Sequence, residues 1–251
     1  MQIVVLIKQV PDMNAVKIDR TSGKPVLGDQ KVVSSFDEYA VEAALQLKEQ
    51  RGGEVTVVSA GGPSVKDAIT RALAMGADKA VQITLPERDD VDTLALASIL
   101  ADEVRKLAPD VVLVGQNSDD SHTGHIGPQL AELLGMPHLS SVTRVEGEDG
   151  AFRVQRDTED GKQVVAASPP VLLMAMTGLN EPRLPSIKGM MAAKRKPVEQ
   201  VTATAPSSPR RLLWGEPFIP ERTVTGTIVQ GLPPADAAKQ LVGWLKEQKL
   251  L

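Results

Sequence analysis

The chain has 251 residues, a formal net charge of −4, no cysteine, and only three Phe, two Trp and one Tyr. It is long enough to bury a full core. The missing thiols exclude disulfide frameworks, thiolate nucleophiles and Cys-ligated zinc or iron–sulfur clusters, and an acidic balance with few stacking rings argues against nucleic-acid binding.

The first apolar run, QIVVLIK at 2–8, is apolar on both faces, as in a central parallel strand. It is followed by an irregular, turn-rich segment, 9–33. Ser34 or Ser35 then caps a helix. Asp37 and Glu38 sit in its first turn, Tyr39, Val41, Ala44, Leu45 and Leu47 form its apolar stripe, and Gly52-Gly53 stops it. A strand at 54–60 leads through Gly61-Gly62-Pro63-Ser64, a tight turn, into a helix over Val65–Met75 ended by Gly76. A strand at 80–85 and a helix at 91–107 come next, then a strand at 111–114, a polar loop at 115–127, and a helix with Pro128 in its first turn. Strand–helix alternation of this kind predicts a parallel sheet with right-handed crossovers. Beyond it, segments 142–146, 151–157 and 163–167 read as an antiparallel hairpin or meander, and 171–176 as a last apolar strand. From 178 onward the core pattern fades. A short helix around 187–194, an extended arm over 202–223 and an amphipathic helix at 234–248 with Ala237, Leu241, Trp244 and Leu245 complete the chain. The expected division is an α/β domain at 1–183 and an arm at 184–251. Such an arm is too small for a core of its own, so it needs a partner surface. No apolar run approaches the roughly 18 residues of a membrane span. The N-terminal apolar run carries no small-residue cleavage site. A cytoplasmic protein without membrane insertion is expected.

The loop at 115–127, GQNSDDSHTGHIG, is too long and too polar for a minimal βα turn of roughly 2–6 residues. Its amides and hydroxyls suit a ribose, an adenine edge or a phosphate. Asp119 and Asp120 suit ribose hydroxyls and would repel phosphate. A solvated loop with a helix cap is the competing reading. His122 and His125 stand beside the two Asp, but His138 is 13 residues further on, and no metal site is expected. Neither a Walker pattern nor a G-x-S-x-G elbow is present. SAGGPS at 59–64 would admit a phosphate or serve only as a tight turn. With Leu6–Lys8 and Ser34–Asp37 it lies at the C-terminal ends of parallel strands, which in a doubly wound sheet converge on one crevice. Lys194-Arg195-Lys196, after Met190-Met191, reads either as a solvated helix end or as a docking loop that includes Ile187.

The segment LNEPRLPSIKGMMAAKRKP at 179–197 resembles the signature of the electron transfer flavoprotein β-subunit family, to whose wider group the FixA proteins belong. VVLIKQVPD near the N-terminus, ALAMGADKAVQI at 72–83 and the 115–127 loop follow the family's order and spacing. The resemblance implies an adenine nucleotide alpha hydrolase-like, doubly wound α/β domain, with an antiparallel hairpin and an extended arm that packs on an α subunit holding most of an FAD. It implies an electron carrier, not an enzyme. Such a carrier accepts electrons from flavin dehydrogenases, such as the acyl-CoA dehydrogenases of fatty acid β-oxidation, and passes them to a quinone oxidoreductase. It further implies an AMP that does no chemistry. The AMP contacts map onto Leu6, Ser34, Ser35, Phe36, Asp37, Ala60, Gln116, Asn117, Ser118, Asp119, Asp120, Ser121, His122, Thr123, Gly124, His125, Ile126 and Gly127. The dehydrogenase-docking loop maps onto Ile187, its aliphatic anchor, with Met190, Met191, Lys194, Arg195 and Lys196. The loop departs from the family's AMP pattern: Asn117 stands for Gln, Ser118 for Ala, His122 for Asp, His125 for Gln and Ile126 for Thr. Its ending, Ile126-Gly127-Pro128, matches the electron-bifurcating branch, which binds a second FAD there. A second FAD is therefore the alternative to AMP, and a stand-alone nucleotide-binding protein is the reading without the resemblance.

Overall fold

β1 (Gln2–Leu6) explains the layering of the molecule. Ile3 and Val5 project into one buried cluster and Val4 and Leu6 into another, so the strand is covered on both faces. The computed structural model describes residues 1–85, 91–203, 212–213, 215, 218–219 and 226–251. After β1, two short antiparallel ladders occupy the segment read as irregular: β2 (Gln9–Pro11) with β5 (Lys31–Val33), and β3 (Lys17–Ile18) with β4 (Pro25–Val26). The chain then alternates through α1 (Ser35–Arg51), β6 (Glu54–Gly61), α2 (Val65–Met75), β7 (Lys79–Thr84), α3 (Thr93–Leu107), β8 (Val111–Gly115) and α4 (Ile126–Leu134). β9 (His138–Glu148), β10 (Ala151–Thr158) and β11 (Gly161–Ala167) form the expected antiparallel meander. β12 (Val171–Ala175) is the last wholly buried strand.

The main sheet has nine strands in the order β11-β10-β9-β12-β8-β1-β6-β7-β13. Here β13 (Val198–Thr202) pairs parallel with β7, from Val198 opposite Ala80 to Thr202 opposite Thr84. The pairings from β9 to β13 are parallel, and those of β10 with its two neighbours are antiparallel. α1 and α2 cover one face of the sheet, and α3 and α4 the other. The fold is therefore α/β with a large, mostly parallel sheet. β1, β6 and β7 succeed one another in one direction. α3 then carries the chain back to β8, on the opposite side of β1. The strand order thus reverses between β1 and β8, and at such a point the loops leaving the strand ends diverge and open a crevice.

Residues Met1–Pro217 form one compact unit. It includes α5 (Ile187–Ala193), whose Ala193 is buried in the same cluster as α1 and α2. A second unit, Phe218–Leu251, contains α6 (Pro234–Glu247). Leu241, Val242 and Trp244 of α6 are exposed. Much of the arm read at 202–223 lies outside the described residues.

Candidate functional site at the strand reversal

Asp37, in the first turn of α1, joins the ends of β1 and β8. Its Oδ2 accepts the Lys8 backbone N–H at 2.7 Å, and its Oδ1 accepts the Gly115 N–H at 3.1 Å. Gly115 is required by this approach, because a Cβ there would collide with Asp37 Oδ1 and lie 2.7 Å from Phe36 Cβ. Asp37 is buried, and burial pushes its carboxyl up to about 7 against the pull of the two backbone N–H groups. Ser34, Phe36 and Leu6 are buried around it. Ala60, at the end of β6, is partly buried one strand away.

The loop after β8 closes over this clamp through its acidic pair. Asp119 accepts the Ser35 backbone N–H on Oδ2 and the Ser35 hydroxyl on Oδ1, both at 2.7 Å, and its own N–H donates to Ser34 Oγ at 3.3 Å. Ser34 occupies the N-cap position of α1 without a side-chain cap bond of its own. The helix end is satisfied instead by a carboxylate from 84 residues away, at the positive end of the helix dipole. Asp120 Oδ1 meets Lys8 Nζ at 2.7 Å. Burial would raise the Asp120 carboxyl, but the Lys8 ammonium and Ser118 hold it below the usual carboxylate range. Ser118 and Ser121 hydroxyls share a 2.8 Å bond. His122 adopts a left-handed φ of 50°, its Nδ1 lies 3.1 Å from the Ser118 carbonyl, and its ring sets an edge on Phe36 at 5.6 Å between centroids. Gln116 Oε1 accepts the Ser141 N–H at 2.7 Å, which ties the loop to β9.

Among the described residues, the side chains of Asn117, Thr123 and His125 take no hydrogen bond from the protein. Gly124 turns the chain at φ 63°, where a Cβ would press on Asn117 Oδ1 at 3.0 Å. Gly127 is buried against Met174. α4 opens at Ile126 with His125 at its N-cap position, no side-chain cap bond, and Pro128 in its first turn. α2, which follows Gly61-Gly62, also lacks a side-chain cap bond. α2 carries Asp67 in its first turn, whereas the first turn of α4 has no carboxylate. The α4 end and the unengaged amide and hydroxyl groups match the donors and acceptors a nucleotide needs. No group of three or more His, Cys, Asp or Glu placed to hold a metal occurs among the described residues. No helix among them is long and apolar enough to cross a membrane.

The second candidate region is the surface around α5. Ile187, Met190, Met191 and Leu184 are exposed large apolar residues. Lys194 and Arg195 are exposed beside them. Lys196 stands apart from this basic run. Its Nζ donates to the carbonyls of Leu73 at 2.9 Å and Ala77 at 2.5 Å, so it satisfies the C-terminal end of α2. Sequence reasoning missed Arg183. Its guanidinium holds Glu42 through Nε at 2.7 Å and Nη2 at 2.9 Å, and Glu49 through Nη1 at 2.5 Å and Nη2 at 3.2 Å. The signal was present in α1: Glu42 and Glu49 lie seven residues apart, hence on one face, and Glu42 interrupts a run of apolar and small residues.

An electron transfer flavoprotein domain model matches residues 26–206. The electron transfer flavoprotein subunit beta of Clostridium acetobutylicum is 37% identical, with 99% of both chains covered. The protein of the same name from Bacillus subtilis is 33% identical over 99% of this chain and 98% of its own. Subunit CarD of the caffeyl-CoA reductase–Etf complex of Acetobacterium woodii is 33% identical over the full length of both. With this likeness running the length of the chain, and with the α/β fold, the chain belongs to the electron transfer flavoprotein β-subunit family.

Proposed function

We propose that this chain is the β subunit of a heterodimeric electron carrier and holds an AMP as a structural element at the strand reversal. FAD, bound mainly by an α subunit, would supply the redox chemistry. The observation that carries the nucleotide assignment is the loop at 115–127. Its acidic pair is engaged within the protein, while Asn117, Thr123 and the α4 N-terminus are left for a ligand. A phosphate fits the α4 end, where unpaired backbone N–H groups and the helix dipole favour an anion. Asn117 and Thr123 offer hydrogen bonds to ribose or base. No acid, base or nucleophile is required of this chain, whose role is to order the crevice and to dock partners.

The docking surface is the exposed cluster of Leu184, Ile187, Met190 and Met191, with Lys194 and Arg195 at its margin. It fits an apolar socket on a flavin dehydrogenase. The exposed Leu241, Val242 and Trp244 of α6 fit the α subunit. A cytoplasmic location and a quinone oxidoreductase as the electron acceptor complete the reading.

A second reading, a bifurcating subunit with its own FAD in the crevice, is favoured by Ile126-Gly127-Pro128. One experiment separates the two. The protein is purified with its partner, denatured, and the released nucleotides are identified by mass and visible absorbance. One FAD and one AMP per heterodimer is the expected result. Two FAD and no AMP would establish the second reading, and no adenine nucleotide beyond a single FAD would remove both assignments for this site.

A further inference from the structure

Four exposed apolar side chains between Leu184 and Met191 would ordinarily lie on a mobile loop, yet this segment is fastened at both ends. At its start, the Arg183 guanidinium forks onto two carboxylates of α1, and the Arg183 backbone N–H also donates to Glu42 Oε2 at 3.1 Å. Glu42 is 3% exposed, so the inner half of the fork is shielded from solvent and from salt screening. Three residues earlier, Asn180 Nδ2 donates to the Tyr39 carbonyl of the same helix. At the far end, Lys196 is fixed on the α2 carbonyls. Between them Gly189 lies against the last turn of α2, where a Cβ would collide with the Ala74 carbonyl. Ser186 caps α5 by accepting the Gly189 N–H at 3.0 Å.

We infer that Arg183 is a positioning residue, holding the Leu184–Met191 cluster in its docking geometry before a partner arrives. The inference rests on the docking surface proposed above. A planar guanidinium is suited to the task. It meets both carboxylates with parallel N–H bonds, which fix direction as well as distance, and a lysine ammonium cannot reproduce this. A segment ordered in advance avoids the ordering entropy that a free loop loses on binding, so the gain appears in affinity and not in the electron-transfer step itself.

The test uses the complete heterodimer with a flavin dehydrogenase that reduces it, and three variants: Arg183→Lys, Glu49→Ala and Ile187→Ala. Arg183→Lys should raise the KM for the carrier about tenfold, the scale set by re-ordering two or three interface side chains. Its kcat and flavin content should stay at wild-type values, and amide hydrogen exchange across 184–193 should quicken. Glu49→Ala removes only the exposed outer carboxylate, so it tests the fork without leaving a buried charge unpaired. It should raise KM in the same direction by a smaller factor. Ile187→Ala should raise KM without quickening exchange. Unchanged KM and exchange in both fork variants, with KM raised in Ile187→Ala, would overturn the positioning role and leave the docking surface standing. Unchanged KM in Ile187→Ala would remove the docking surface, and the role of Arg183 with it. A lowered kcat or lost flavin in Glu49→Ala would also overturn the proposal, because the fork would then act on the whole fold.

Discussion

Replacing Asp37 with asparagine tests the clamp at the strand reversal through its pH dependence. The Asp37 carboxyl titrates at about 7 in the folded protein against an ordinary value of 3.8, chiefly because it is buried. The folded state therefore binds this proton more tightly than the unfolded chain does. The stabilisation is complete below 3.8, declines as pH rises through the window from 3.8 to about 7, and is constant above it. At about 1.4 kcal/mol per pH unit, the full decline is roughly 4 kcal/mol. The amide of the variant carries no charge and has no such decline. Its one oxygen still accepts a backbone N–H, but its nitrogen faces the other, a constant offset of about 1–3 kcal/mol that does not alter how the difference between the two proteins moves with pH. Urea unfolding followed by far-UV circular dichroism, from pH 4 to pH 7.5, gives both stabilities. Their difference cancels the titrating groups that do not couple to Asp37 and should move toward the variant by roughly 4 kcal/mol across the window. A flat difference, or a shift toward the wild type as pH rises, would refute the reasoning. It would mean that the two backbone N–H bonds and the Lys8 charge outweigh burial and keep the carboxylate ionised well below neutrality.

Two further substitutions probe the same crevice from its other walls. Gly115→Ala places a Cβ against Asp37 Oδ1 and Phe36 Cβ, both held in the first turn of α1. It should cost about 3 kcal/mol, the upper end of the overpacking range, read as a lowered urea midpoint; an unchanged midpoint would show that the strand ends part freely. Asp119→Ala takes the carboxylate from the α1 N-terminus, and loss of a helix cap predicts a cost of about 1 kcal/mol. Amide exchange across 116–124 should quicken with it. Wild-type exchange there would show that Lys8–Asp120 and Gln116–Ser141 hold the loop without it.

Legibility in the sequence followed the distance over which each residue is satisfied. α2 lies where its apolar period and Gly76 placed it, and the buried strands were marked by continuous apolar runs, because in both cases the signal is local. β13 was hidden. As an edge strand it leaves four of its five residues exposed, so VEQVT carries none of the apolar pattern of a central strand. α1 was legible as a helix but not in what it buries. Asp37 and Glu42 sit among its core residues because their partners are Gly115, 78 residues away, and Arg183, 141 residues away. Periodicity reads such carboxylates as surface positions, since nothing near them in the chain reveals the groups that satisfy them.

The acidic pair in the loop shows what this does to a functional reading. Taken as a string, Asp119-Asp120 is two carboxylates available to ribose hydroxyls and hostile to phosphate. In the folded chain Asp119 is bound to the α1 end and Asp120 to Lys8. Each negative charge is thus held against a positive partner, one a helix dipole and one an ammonium. The repulsion that would keep a phosphate out of the crevice is largely cancelled, and the α1 end is closed to it. An anion entering between β1 and β8 is left the α4 end, where Gly127 and Ile126 present backbone N–H groups and no carboxylate competes. The charges that read in the string as ligand contacts therefore act by closing one helix end and leaving the other open, and the departures at His125 and Ile126 fall at the end left open.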